Sequence, residues 1–471
     1  MIGFPIAVLL AIAVVWGWSR AHFFQMWFRL PRGREDRFTC RGNQHTASVH
    51  LGAEGFDLPA DLDLTGRTVF LQLTTKSSLL GRMFDPFIEI QDEGVSFRQY
   101  FERGVSGSRY LNLTAFFQSE RPAAHRRLGL RGGFMRWGRG ATLIAHARPS
   151  VAGASALVIA PHPDDAEIAA FGMSLDRRSW IVTITVGEKS TANLPRHLSP
   201  TARAEWAARL RVSDSLSNPR LGQVSPIWRT NLAYPDGALE SMYREPSRGF
   251  ALACEGRLSR RQLRSQNELP EFRAGDPQCT WNGLVDELRL LLEVTQPQII
   301  ICPHPLIDTH PDHIFTTVAL ERALHGLQGA RPQILLYAVH SSGAPSYPFG
   351  PADSLVSLPP GQHEAWIGDS IYSRLLEPHM RQAKYFAVES MHAVRRFDDA
   401  ERRTTLDFLK AVRREIVAYV AGMGIDPASW LRRAPRPNEI YYVVSGDGLK
   451  ELVGRIEGRA AENSTQPGSR A

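Results

Sequence analysis

The sequence predicts an α/β protein: a Rossmann-like layered domain with a mainly parallel sheet, preceded by a small all-β, sandwich-like domain and an N-terminal transmembrane helix. Three observations predict it. Residues 2–18 form an uncharged apolar run. Between 37 and 150, short β-prone stretches such as "TVFLQLTT", "FIEIQ", "RYLNLTAFF" and "ATLIAHA" are separated by Gly, Asp and Pro, with little helical periodicity. From residue 156 onward, fully apolar stretches ("ALVIA", "SWIVTITVG", "PQIIIC", "RPQILLYAV") alternate with helical patterns, as in a sheet buried on both faces.

A chain of 471 residues calls for more than one domain, and its 43% hydrophobic and 22% charged residues exclude a disordered protein. The apolar run is at the short end of the roughly 17–25 residues that span a bilayer. No basic residue precedes it, whereas Trp16, Trp18 and the following "AHFFQMWFRL" form an interfacial belt rather than a cleavage site. Arg20, Arg29, Arg32, Arg34 and Arg37 come after it, which predicts a single-pass protein of a bacterial inner membrane with a cytoplasmic body. The expected division is an anchor and interfacial segment at 1–30, a β-rich domain at 37–150, an α/β domain at 151–456 and a disordered tail at 457–471.

The formal charge of +7 is carried mostly by arginine and spread along the chain. It suits a solvated basic surface or anionic lipids and phosphorylated substrates. No accompanying motif points to nucleic acid. Four scattered cysteines form no CxxC pair, which excludes a disulfide framework and a cysteine zinc site. Helix signals are a Ser-Pro start in "SPTARAEWAARLR" and apolar spacing at Leu284, Leu288 and Leu291 in "GLVDELRLLLEV".

In such sheets ligands gather beyond the carboxyl ends of the strands. Two strand ends here are unusual: His162-Pro163-Asp164-Asp165 after "ALVIA", and His310-Pro311-Asp312-His313 shortly after "PQIIIC". An isolated Asp-Asp pair is equally at home capping a helix. Together, the two turns hold every ligand of a catalytic zinc site, which takes three N or O donors and leaves a position open. His162, Asp165 and His313 are the expected ligands, for zinc or another divalent transition metal. Asp164 is then free to take a proton from water as general base, and His310, as an imidazolium, to stabilise an oxyanion and protonate a leaving amine. His304 and His340, close to strand ends, are candidate substrate contacts, as are Tyr234 and Asp236 in "NLAYPDGAL".

The segments "APHPDDAE" and "HPDH" resemble the two signature motifs of the PIG-L/LmbE-like family of zinc-dependent N-acetylglucosaminyl de-N-acetylases. "VTITVGEKS", "RAEWAARL", "NLAYPDGAL", "QAKYFAVESM" and "NEIYYVV" are similar to further family segments in the expected order, so the likeness extends over roughly 156–444. The resemblance implies zinc on His162, Asp165 and His313, a base at Asp164, an oxyanion or acid role for His310, and Asp312 tuning His310. It also implies a substrate-binding arginine, for which Arg203 is one residue nearer the helix Glu than the usual place, held here by Ala202. The usual Ser-Gln ending is Ser390-Met391, and 237–280 is longer than a minimal member needs, as a lid, an acceptor-binding insertion or a variable loop. The implied activity is hydrolysis of an N-acetyl group of an amino sugar on an envelope glycan or glycolipid, such as a lipopolysaccharide-core intermediate. A deacetylase of a small soluble thiol-cofactor precursor and a non-catalytic glycan-binding protein are the rivals.

Overall fold

A computed structural model describes residues 36–465, apart from 37, 83, 119–125, 196, 276–277, 326, 328–330, 342–343, 345, 361–365 and 395–428. The expected anchor lies outside the described residues. Among those described, no helix is long and apolar enough to cross a membrane.

The first strand, β1 (Thr39–Cys40), pairs in parallel with a strand more than 300 residues later, β15 (Trp366–Gly368), rather than with the β-rich unit to which its position assigns it. Eight strands follow: β2 (Gln44–His50), β3 (Gly55–Asp57), β4 (Thr68–Ser77), β5 (Phe87–Asp92), β6 (Val95–Tyr100), β7 (Ser106–Asn112), β8 (Arg127–Gly133) and β9 (Met135–His146). They form two four-stranded antiparallel sheets, ordered β2-β9-β4-β7 and β3-β8-β5-β6. Alternate residues such as Val69, Leu71, Leu73, Ile88, Ile90, Leu128 and Leu143 turn inward into one shared core. The last part of "RYLNLTAFF" is a 3-10 turn, Thr114–Phe117, because Asn112 accepts from the Thr114 amide and ends the strand.

The second unit holds β10 (Ala156–Ala160), β11 (Ser179–Thr185), β12 (Arg229–Tyr234), β13 (Ile299–Pro303), β14 (Gln333–Tyr337), β16 (Ser370–Leu375) and β17 (Asn438–Val444). Their order is β12-β11-β10-β13-β14-β17-β16, parallel except for β17. The adjacent parallel strands β11, β10, β13 and β14 are buried almost throughout, which explains their largely apolar sequences. Strand order reverses between β10 and β13, so the crevice beyond their carboxyl ends is the switch point where such sheets bind ligands.

The stretch 237–280 is packed rather than lid-like. Its Leu252, Cys254, Leu258 and Leu263 join Val186, Ala204, Ala208 and Val212 in a small core, and Arg260 and Arg264 donate to Glu287 and the Leu232 carbonyl. It covers β12, an edge strand that would otherwise expose its backbone. The helix Gly446–Thr465 continues past Glu457, where the sequence predicts a disordered tail; Arg459, Ala460, Ala461 and Glu462 are good helix formers, and one Gly does not stop them.

Candidate metal centre

β10 delivers His162 to the crevice, and the short helix Asp165–Ala169 begins three residues later. From the neighbouring β13, a loop leads to the helix Pro311–Leu324, which carries His313 in its first turn. His162 Nδ1 lies 3.2 Å from Asp165 Oδ2 and 3.1 Å from His313 Nε2, and His313 Nε2 is 3.1 Å from Asp165 Oδ2. All three side chains are buried. Bonds of about 2.0–2.2 Å to a tetrahedral zinc put donors roughly 3.4 Å apart, so this triangle fits a small divalent cation. His310 and His313 also have ring nitrogens within 4.8 Å of those of His162, as do carboxylate oxygens of Asp236 and Asp312, but the His162–Asp165–His313 triangle is the tighter set.

Protons are placed to suit ligation. His313 Nδ1 faces Asp308 Oδ2 at 3.0 Å, so its proton is held there and the Nε2 lone pair points inward. His162 Nε2 faces Asp312 Oδ2 at 3.2 Å and Asp236 Oδ1 at 3.4 Å, which holds a proton there and leaves Nδ1 as the nitrogen that a metal would take. The pocket is strongly negative. Burial alone would lower the pKa of both imidazoles, yet Asp165 and Asp308 hold His313 up at about 9, and Asp165, Asp236 and Asp312 hold His162 well above its ordinary value. The carboxyls of Asp165, Asp236, Asp308 and Asp312 all stay below their usual range despite burial, because these histidines face them. Such a site demands a positive charge, which a divalent cation supplies.

Residues 157–324 match the family model described as PIG-L, GlcNAc-PI de-N-acetylase. This stretch of the chain is similar to the PIG-L family. Both strand-end turns fall inside the PIG-L segment, while the sandwich precedes it. Among solved structures, the chain is similar to N,N'-diacetylchitobiose deacetylase from Pyrococcus horikoshii, with 18% identity over 62% of this chain and 84% of that one and a TM-score of 0.33. It is similar to the zinc-inhibited form of teicoplanin deacetylase, with 16% identity over 61% and 97% of the two chains and a TM-score of 0.32. It is likewise similar to 4-carboxy-2-hydroxymuconate hydratase from Pseudomonas putida, with 12% identity over 62% and 95% and a TM-score of 0.30. No curated protein sequence matches.

Around the PIG-L centre, the remaining candidates divide. Asp164 occupies the N-cap position but makes no capping bond; its carboxylate turns to Arg211, whose Nη1 and Nη2 lie 3.4 and 3.3 Å from Oδ2 and Oδ1. Arg211 reaches it by lying across Gly187, where a Cβ would stand 2.2 Å from Nε. Arg203 is placed two turns earlier on the same helix, Pro200–Ser217, about 12 Å along the axis, and does not make that contact.

The Asp312 carboxylate hydrogen-bonds toward His162 rather than toward His310, which it reaches through its charge and its backbone amide. The helix starts at Pro311, which buries Asp312 completely, facing His162 and accepting the amides of Gly237 (2.6 Å) and Leu239 (3.2 Å). His310 is the N-cap: its Nδ1 accepts the Asp312 amide at 3.2 Å, so the remaining proton is on Nε2. Its ring stands edge-on to His162 with centroids 4.6 Å apart, and burial, then the charges of His162 and His313, lower its pKa to about 4. Burial thus favours the neutral form of His310, in which Nε2–H is the donor, over the expected imidazolium.

His340 lines the centre, its ring 5.0 Å from that of His313 and 5.6 Å from that of His310. Asp236 is present too, but behind His162 and bonded to the Lys189 amide, rather than in a sugar-contacting position. Two candidates are core residues. Tyr234 is fully buried in the main core with Arg260 over its ring, because its strand is covered by 237–280. His304 is fully buried, with Nε2 on the Ile367 carbonyl and Nδ1 accepting the Leu306 and Ile307 amides, so both nitrogens are used to turn the chain after β13.

Asp308 and Arg211 were missed by sequence reasoning. Asp308 accepts from His313, from the amides of Val339 and His340, and through Oδ1 from His310 N. Its place five residues before His313, across a loop, has no regular spacing to mark it. Arg211 is one of many arginines on its helix.

Proposed function

We propose that the chain is a metal-dependent N-deacetylase that hydrolyses the N-acetyl group of a GlcNAc- or GalNAc-type amino sugar, releasing acetate and a free amine. The observation that carries the reading is the buried His162–Asp165–His313 triangle with a free carboxylate, Asp164, clamped beside it in a PIG-L segment. A zinc ion on those three residues would supply Lewis acidity, polarising the acetamide carbonyl and making water more acidic.

The chain's own groups do the rest. Asp164 accepts a proton from the attacking water, and Arg211 keeps its two oxygens oriented. His310 donates its Nε2–H to the oxygen that becomes negative as the carbon turns tetrahedral. Collapse breaks the C–N bond, and the proton held by Asp164 passes to the departing amine. Asp312 and Asp308 fix the rings of His162 and His313 so that this geometry does not wander.

For the substrate, an envelope glycolipid, of the lipopolysaccharide-core kind, agrees with the apolar run at residues 2–18 and with a body held on the cytoplasmic side of the membrane. The printed names of the similar structures include deacetylases of diacetylchitobiose and of teicoplanin. The experiment is acetate release by the zinc-loaded full chain from acetylated free sugars, thiol-cofactor precursors and glycolipids, with Asp164→Ala as control. Release from a glycolipid that the control lacks is expected. Binding of a glycan without acetate from any substrate would instead make the chain a binding protein.

A further inference from the structure

One end of the sandwich carries an apolar tip. Leu79 is 78% exposed, Leu80 51%, Phe134 40% and Phe84 39%, and the rings of Phe84 and Phe134 stack with centroids 5.4 Å apart. These side chains belong to the β4–β5 loop and to the corner where the chain passes from β8 to β9. The two are tied together by Ser78, whose amide and hydroxyl both donate to the Phe134 carbonyl. Phe134 has φ +60°, a left-handed conformation that a bulky residue rarely adopts and that glycine would take freely. The chain keeps an exposed ring where glycine would fold more easily.

Positive charge surrounds the tip. Lys76 lies directly across from Arg136 in the β4–β9 register, and like charges opposed in a sheet destabilise it. Arg82 and Arg139 are exposed nearby, and none of the four has an ion-pair partner among the described residues. The neighbouring acids Asp85 and Glu102 are already held by Arg103 and Arg109. An open groove lined by His50, Phe134, Arg136, Trp137 and Arg139 adjoins the tip, with room for polar headgroups.

The route of the N-terminal chain is the second observation. Followed backward, it passes from Phe38, whose amide donates to the Tyr110 hydroxyl, to Asp36, whose amide donates to the Ser108 carbonyl. Ser108 is opposite Thr74 and Ser106 is opposite Lys76, so the step from Phe38 to Asp36 runs along β4 in the direction of the tip. The apolar run at 2–18 and the aromatic residues at 23–28 lie in the segment beyond.

We infer that the Leu79–Leu80–Phe84–Phe134 tip, with its rim of Lys76, Arg82, Arg136 and Arg139, docks in the interface of an anionic lipid bilayer. Aromatic and aliphatic side chains enter the headgroup boundary while Lys and Arg meet acidic headgroups. β4 runs from Ser77 at the tip to Thr68, whose hydroxyl accepts the Ser373 amide of the α/β unit. The inference stands on the sandwich alone and does not depend on the deacetylase reading.

The test uses the full chain in lipid nanodiscs, with an environment-sensitive fluorophore on Leu80→Cys and, as control, on Glu93→Cys at the opposite end of the sandwich. In phosphatidylcholine–phosphatidylglycerol discs, position 80 should emit at shorter wavelength and be quenched by a doxyl-labelled lipid, while position 93 should show neither. The Lys76→Glu/Arg136→Glu double variant should shift docking by at least about 25-fold, since each basic charge near such a surface is worth about fivefold. An unchanged spectrum at position 80 overturns the inference. A blue shift without lipid quenching also overturns it, because the chain's own aromatic segment would then cover the tip. Equal quenching in purely neutral discs overturns the role given to the basic rim.

Discussion

Residues 162–165 and 310–313 follow adjacent parallel strands and share His-Pro-Asp, yet corresponding residues do different work. In the first turn the helix begins at Asp165, so His162 and Asp165 face the centre and Asp164 is left toward Arg211. In the second it begins two residues earlier in the motif, at Pro311. His310 becomes the cap, Asp312 is swallowed beneath His162, and His313 is the residue whose ring nitrogen meets both His162 and Asp165. The lesson is that a motif supplies the functional groups while helix register decides which of them faces the ion.

The comparison can be broken most severely at the inward positions. His313→Ala should abolish bound metal in elemental analysis and reduce acetate release to background; full metal content would remove His313 from the ligand set. Asp164→Ala should keep its metal and lose about 10²–10⁴-fold in kcat, because that carboxylate faces Arg211 and not the triangle. Asp308→Ala should cost about 10–100-fold in metal affinity by competition with a chelator, whereas an unchanged affinity would mean that His313 needs no orienting partner. Asp312→Asn separates the two turns further. It should weaken metal binding through His162 more than it changes the chemical step, and a pure kcat effect with unaltered affinity would return Asp312 to His310. The smallest effects belong to residues the motif reading overvalued. Tyr234→Phe should leave kcat and KM within about twofold, since the buried hydroxyl has no hydrogen-bond partner among the described residues and changes so remote from substrate are usually small.

Much of this was legible in the residues. Unbroken apolar runs could only be central strands, and alternating ones could only be strands with one covered face. The two His-Pro-Asp turns gave the ligand types and their order along the chain. What misled was proximity along the sequence. His304 stands next to a strand end, as ligands do, but its ring is consumed by turning the backbone. Tyr234 follows a strand as well, yet the residues after 237 close over it. Asp308 had no signal because its partners, His313 and the amides at 339 and 340, are brought together by β13 and β14 pairing.

By itself the sequence determined the α/β class and the functional groups available at two strand ends, because periodicity and functional-group type are local properties. Only the tertiary structure decided that the Asp312 carboxylate faces His162, that His310 caps a helix through Nδ1, that Arg211 rather than Arg203 meets Asp164, and that an apolar tip with a basic rim forms at one end of the sandwich. Those depend on helix register, on strand pairing between distant segments and on which faces are covered. None of these is written in the spacing of residues along one chain.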